Sequence, residues 1–357
     1  MNGRILALML LLIVSGWATA GEVKGLYNAQ VALDMSTSQQ QAAQQGLAQV
    51  LVKISGSYTI LKEDMVQRQM RSATDFILSY QINKQQQQRV YNASYDSGKV
   101  DQLIRNSGFP IWGSTRPAIL FWLAEQQSDT FNRVLISEQA DSSLKKEIQQ
   151  FVQLRGLDLG FPLIDLDDLM QVSVYDVWGR FAENISMASS RYDADAVLIA
   201  RIYEHKEQLD NVDELLNKVV WRIDWSLINR GQQTNGSVEH VERQQVIAQL
   251  INSVADELAS RYAIEAQSNG TGEPIELVVN NVSSLQIHED IMQFFNQLSA
   301  VTDITLIKLA GRKGTFRLRL LGDEADLRTA LQLDDRIQRV VDEFGQPVPQ
   351  LEFVWAP

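Results

Sequence analysis

The sequence predicts a chain of mixed α/β and α+β class, laid out as three small two-layer modules, the last of them ferredoxin-like with the order β-α-β-β-α-β. Three observations predict this. Apolar residues switch repeatedly between period two and period 3.6, the mark of strands alternating with helices. In Val219–Leu227 the residues Val219, Trp221, Ile223, Trp225 and Leu227 alternate with Val220, Arg222, Asp224 and Ser226, a period of two that leaves one face apolar and the other mostly polar, as a strand does. The stretch Gln267–Glu273, Q-S-N-G-T-G-E, has the composition of a linker and sets the final segment apart. A chain of 357 residues is long enough for about two or three domains.

The elements follow in order. Residues 1–20 read as a secretory signal: Arg4, an apolar run Ile5–Val14, and the small residues Ala18-Thr19-Ala20 at a cleavage site. Cleavage after Ala20 would leave Gly21 as the first residue and a chain with no membrane span. An N-terminal α+β module is expected over residues 21–114. It opens with a strand over Val23–Leu33. A helix then has Ser36 and Thr37 spaced as capping-box residues before Gln39 and Gln40, with Ala43, Leu47, Val50, Leu51 and Ile54 on one face and Gly56 as its stop. Strands over Phe76–Ile82 and Arg89–Tyr95 flank the glutamine run Gln85–Gln88. A helix buries Val100, Leu103 and Ile104 and ends before Gly108 and Pro110.

A central α/β module is expected over residues 115–267. Ala118–Ala124 is a continuous apolar run, as a strand covered on both faces requires. Leu144, Ile148, Phe151 and Val152 mark a helix closed by Gly156. Leu159–Leu166 is a candidate strand, and Val177, Phe181, Ile185, Ala188 and Tyr192 mark one helix capped by Asp176. Ala196–Tyr203 is another buried strand. In Val219–Leu227 the odd-numbered residues face the core and Arg222, Asp224 and Ser226 face water. Ile247, Leu250, Ile251, Val254, Leu258 and Tyr262 line a closing helix. Beyond the linker, residues 274–357 give a strand at Ile275–Val279, a helix through Ile291 and Phe295, a hairpin around Gly311 and Gly314, a helix at Leu327–Leu331 and a last strand at Leu351–Trp355.

Composition narrows the chemistry. There is no cysteine, which removes disulfides, thiolate nucleophiles, cysteine-ligated zinc and a lipid-anchored signal junction. The net charge of −12 opposes binding to nucleic acid. His205, His240 and His288 stand in three distant segments, without the spacing of a zinc site. No nucleophile elbow, P-loop or dinucleotide fingerprint occurs. Ser142 and Lys145 fit S-x-x-K but lack companion motifs, so Ser142 reads as a helix start. The run Asp165, Asp167, Asp168 lacks the glycine and closing glutamate of a calcium loop and reads as a solvated helix start.

Two aromatic clusters and one basic hairpin are the candidate binding residues. Trp112 and Arg116 lie in Gly108–Pro117, and Trp178 and Arg180 in Asp176–Phe181; Trp and Arg are common interface anchors, and the competing reading is an interdomain joint. Arg312, Lys313, Arg317 and Arg319 gather on the C-terminal hairpin, either as the wet side of a sheet or as a docking patch for an anionic partner.

The motifs V-x-G-L-Y at Val23–Tyr27, A-x-x-x-x-L-A-Q-V-L-V-K-I-S-G at Ala42–Gly56, G-F-P-I-W-G-S-T-R-P at Gly108–Pro117, V-Y-D-V-W-G-R-F at Val174–Phe181 and Y-D-A-D-A-V-L-I-A-R at Tyr192–Arg201 resemble the exported Gram-negative family known only as domain of unknown function 2066. The resemblance implies an envelope location and carries over no catalytic residue. The expectation is a non-catalytic periplasmic accessory or adaptor protein that uses no cofactor and meets an envelope protein or a cell-wall component. The alternative is a periplasmic hydrolase whose carboxylates the fold would bring together in a deep pocket.

Overall fold

The computed structural model describes residues 23–85, 88–128, 130–207, 218–265 and 274–356. The expected leader, its expected cleavage point and the expected linker lie outside the described residues.

The N-terminal elements are β1 (Asn28–Leu33), α1 (Gln39–Ser55), α2 (Asp64–Met70), β2 (Ile77–Gln85), β3 (Gln88–Tyr95) and α3 (Ser97–Asn106). The strands form an antiparallel sheet in the order β1-β3-β2. α1 starts later than Ser36 and Thr37 suggest, because the Asp34 carboxylate accepts both of their hydroxyls. The capping box is Ser38 with Gln41. Leu47, Val50, Leu51 and Ile54 then bury against Tyr91, Ala93 and Tyr95 of β3, each large side chain contributing about 1.5–3 kcal/mol. The first strand is shorter than expected, since Gly25 (φ 72°) turns the chain before Asn28.

The central elements are β4 (Ala118–Gln126), β5 (Arg133–Leu135), α4 (Ser143–Arg155), β6 (Asp158–Gly160), α5 (Leu166–Gln171), α6 (Val174–Gly179), α7 (Ala182–Ser189), β7 (Ala196–Glu207), β8 (Lys218–Asn229), β9 (Gln232–His240) and α8 (Arg243–Tyr262). Their sheet runs β5-β4-β7-β8-β9, with β6 also on β4; β4 pairs parallel with β6 and β7, and the remaining pairs are antiparallel. Ile119, Phe121 and Leu123 of β4 face α4 and α8, whereas Leu120, Trp122 and Ala124 face α6 and α7. Helices therefore cover both faces of β4, as its unbroken apolar run requires, and this unit is three layers deep.

Three local expectations are corrected here. Leu159–Leu166 yields only the short β6, and Leu166 opens α5. The single helix expected over 177–192 is broken into α6 and α7, because Arg180 adopts a left-handed cap (φ 57°) and turns its guanidinium onto the Trp225 carbonyl. The second face of β8 is not wet, since Val220, Asp224 and Ser226 are buried, and Val219, expected in the core, is exposed.

The C-terminal elements are β10 (Ile275–Asn280), α9 (Leu285–Gln297), β11 (Val301–Ala310), β12 (Lys313–Leu320), α10 (Glu324–Leu331), β13 (Ile337–Arg339) and β14 (Glu352–Trp355). The sheet order is β11-β12-β10-β14-β13. The β-α-β-β-α-β sequence of elements is present, but β14 runs parallel to β10 and a further short strand, β13, lies outside it. In a ferredoxin-like sheet every neighbour is antiparallel; here the chain passes β13 first, then doubles back so that β14 slots between β13 and β10.

Candidate functional site

Trp112 and Arg116 are both enclosed at 1% exposure, where the N-terminal and central cores meet. The Arg116 guanidinium stacks 4.0 Å over the Trp112 ring and donates to five carbonyl oxygens, those of Lys53, Trp112, Gly113, Arg155 and Gly156, at 2.7–2.9 Å. Lys53 lies in the last turn of α1, and Arg155 and Gly156 end α4. One buried cation thus sits at two helix C-termini, whose negative dipole ends stand in for a counter-carboxylate. Burial first, then the nearby Arg155, push the guanidinium below its usual value, yet the carbonyl fork keeps it protonated. Arg155 adds bonds to the Gly56 carbonyl, Asn252 and Asp256. Gly56 caps α1 in the left-handed region (φ 73°), and a Cβ there would stand 2.3 Å from that of Ala259 in α8, so only glycine allows this approach. This cluster holds two units of the fold together, and both of its guanidinium groups are shut away from solvent.

The basic hairpin forms the open face of the C-terminal sheet. Lys313 pairs with Glu352 at 2.7 Å and Arg317 with Glu276 at 3.0 Å. Arg312 donates to Asn281, and Arg319 stands opposite Asp303 in β11. Lys313, Arg317 and Arg319 are interleaved with acids on adjacent strands, an arrangement of surface pairs each worth little, and Arg312 is held by an amide.

Trp178 and Arg180 belong to a different environment. Arg133 stacks 3.9 Å over Trp178, and Arg201 lies 5.4 Å from the same ring. Beneath them Asp224 accepts from Arg201, Tyr203, Arg222 and Ser237 at 2.7–3.1 Å. Burial alone would raise this carboxyl; the bonds from Ser237, Arg222, Arg201 and Tyr203 outweigh it and hold the group well below the usual carboxylate range. The network fixes α6 on the sheet.

The outer surface of α5, α6 and α7 is the feature that sequence reasoning missed. In α5, Leu166, Leu169 and Met170 recur at i, i+3 and i+4 and are 73%, 56% and 77% exposed, while Asp168 of the same helix is buried. The helix is amphipathic with its apolar side outward. Asp168 accepts from the Ile164 amide and from the Tyr192 hydroxyl, and Arg191 binds Asp165 and Asp168 at 2.8 and 3.3 Å. The three-aspartate run is thereby consumed as a helix start and an arginine clamp. Tyr175 of α6, Phe181 just before α7 and Met187 of α7 are exposed as well. The surrounding acids Asp167 and Glu183 are exposed. The sequence signal was present in L-D-D-L-M, but its spacing reads equally as a core face.

Ser142 caps α4 by accepting from the Lys145 amide, and the Lys145 ammonium turns away to Glu138. A cleft of about 540 Å³ separates the N-terminal and C-terminal units, lined by Tyr27, Asp101, Arg105 and Ser299 among others. Tyr27 donates to Asp101 at 2.8 Å, and burial pushes both groups up. Two smaller hollows contain Asp326 and Asp75. Each of these three pockets holds one carboxylate, so none supplies the pair a two-carboxylate hydrolysis uses.

Comparison with protein families gives two matches. Residues 275–347, which carry β10 to β13, match the family DUF2066, and residues 20–113 match a Domain of unknown function, DUF8605. The resemblance to domain of unknown function 2066 is thus met in the C-terminal unit. None of the five motifs lies in the DUF2066 match: Val23–Tyr27 and Ala42–Gly56 fall within the DUF8605 match, Gly108–Pro117 runs across its end, and Val174–Phe181 and Tyr192–Arg201 lie outside both. No curated protein matches the chain.

Proposed function

We propose that this chain is a non-catalytic accessory protein of the cell envelope, exported through its cleavable leader, that docks a protein partner on the outward apolar face of α5–α7. The observation that carries the reading is the inversion of α5, which hides a carboxylate and exposes Leu166, Leu169 and Met170. Large apolar side chains gathered on adjoining helices mark interaction surfaces in soluble proteins, and methionine adapts readily to a partner's contour. Exposed Asp167 and Glu183 beside the patch favour a partner with an apolar centre and a cationic rim. The leader pattern at residues 1–20 supports a periplasmic site of action.

The test combines fractionation with photocrosslinking. A photoreactive residue placed at Leu169 or Met170 should yield one dominant adduct in the periplasmic fraction. Leu166→Asp with Met170→Asp should abolish that adduct while the unfolding midpoint stays near wild type. Adducts that persist in the aspartate variant would end the docking reading; retention of residues 1–20 in the isolated protein would end the proposed processing.

A further inference from the structure

Strand β2 is the outer edge of the N-terminal sheet. From Ser79 to Gln85 its register with β3 is unbroken, so its free side presents a regular row of backbone donors and acceptors. Edge strands are normally blunted by charge, proline, a bulge or a cover. In β2 the devices stand only at the ends: a register shift next to Leu78 and the charge of Lys84. Residues 79–83, S-Y-Q-I-N, carry no charge, proline or glycine.

The side chains point the same way. Tyr80 stands opposite Ala93 and Ile82 opposite Tyr91 in β3, so the four share one face of the sheet. Ala93 and Tyr91 are buried against the helical layer, whereas Tyr80 and Ile82 are 49% and 42% exposed. The apolar side of the sheet therefore extends one strand beyond its cover. Tyr91 is enclosed, its hydroxyl has no partner among the described residues, and the exposed Tyr80 ring stacks on it at 5.3 Å.

We infer that β2 pairs antiparallel with β2 of a second copy of this chain, joining two three-stranded sheets into one of six. Charge selects that occupant. Lys84, near the end of β2, is its one charge, and exposed Asp75 lies just before its start. An antiparallel two-fold brings the Lys84 end of each copy to the Asp75 end of the other, so one contact forms twice; a parallel pairing would set lysine beside lysine. A self-complementary patch of this kind is what a closed two-fold dimer requires. The inference is independent of the docking face on α5–α7, which lies on the central unit.

The experiment uses the full mature chain. Sedimentation up to about 100 µM should show a monomer–dimer equilibrium, and Tyr80→Lys with Ile82→Lys should weaken it by at least about tenfold while the variant still unfolds cooperatively. Asp75→Lys alone and Lys84→Asp alone should each weaken the dimer, and the two together should restore it. Because the chain has no cysteine, Gln81→Cys should form a disulfide between copies under mild oxidation, whereas Gln30→Cys on the opposite edge should not. A monomer throughout that range, a dimer indifferent to the β2 changes, or β2-dependent binding of another protein's extended segment by a monomeric chain would each overturn the inference.

Discussion

Arg116→Met removes the guanidinium at the joint of α1 and α4 while keeping much of the side-chain volume. Five carbonyl oxygens lose a donor. A buried polar group left unpaired costs roughly 1–3 kcal/mol, so the lower limit alone is about 5 kcal/mol, within the total stability of about 5–15 kcal/mol typical of a domain. Part of this is offset, because the charge no longer has to be stripped of water. The expected net loss is about 3–5 kcal/mol. Urea unfolding followed by tryptophan fluorescence and by far-ultraviolet dichroism measures it. The midpoint should fall, and the two signals should separate as the N-terminal unit uncouples from the central one. Arg116→Lys should recover only part, since one ammonium has three donors and cannot span carbonyls from two helix ends. A midpoint for Arg116→Met equal to wild type would mean that water replaces the guanidinium without loss, and the account of the joint would be wrong.

Burial, reinforced by Arg116, lowers Lys53 to about 8, against about 10.4 for an unfolded lysine. Between those values the unfolded chain holds a proton that the folded chain has released, so this group makes stability rise with pH across the window; Lys53→Met should flatten the rise, and equal slopes in both proteins would contradict it. Trp225→Ala should destabilise the central unit by about 3–5 kcal/mol, because the ring is buried beneath α8; a denaturant midpoint near wild type would show the ring to be dispensable. Gly236→Ala should be costly too, as a Cβ there would stand 2.4 Å from the Trp225 indole; an unchanged thermal midpoint would count against that contact. A fragment of residues 274–357 should unfold cooperatively, since among the described residues its core draws Ile264 alone from elsewhere; a non-cooperative melt would show that the contacts of Leu321 and Leu333 with the other two cores are essential.

What the sequence revealed and what it hid follow from the range of the forces involved. Period, caps and turn residues act over a few positions, so α1, α4, α8 and the hairpins stand close to where their patterns place them. Ser142 caps α4 as its spacing implies. Arg180 was visible as a candidate, but not its left-handed cap, because what draws it out of the helix is the Trp225 carbonyl, 45 residues away. The parallel insertion of β14 beside β10 is likewise a long-range choice, with strand pattern but no local mark of direction. Arg116 reads as an interface anchor until its acceptors are known, and those lie up to 63 residues distant.

α5 carries that argument further. A helix of six residues cannot stand by itself, since isolated helices shorter than about 12–15 residues are marginal in water. Helices in proteins are ordinarily held by burial of an apolar face, yet α5 turns that face away from the molecule. What fixes it is polar: the Asp165 cap, buried Asp168 with Tyr192, and the Arg191 clamp. Bonds of this kind define an orientation strictly and add modest net stability. Exchanging the outward leucines and methionine for polar residues would therefore leave the fold of this chain nearly unchanged, and folding alone gives no reason for them to be apolar. The apolar side of α5, rather than any of the buried arginine clusters, is therefore the surface on which the proposed docking rests.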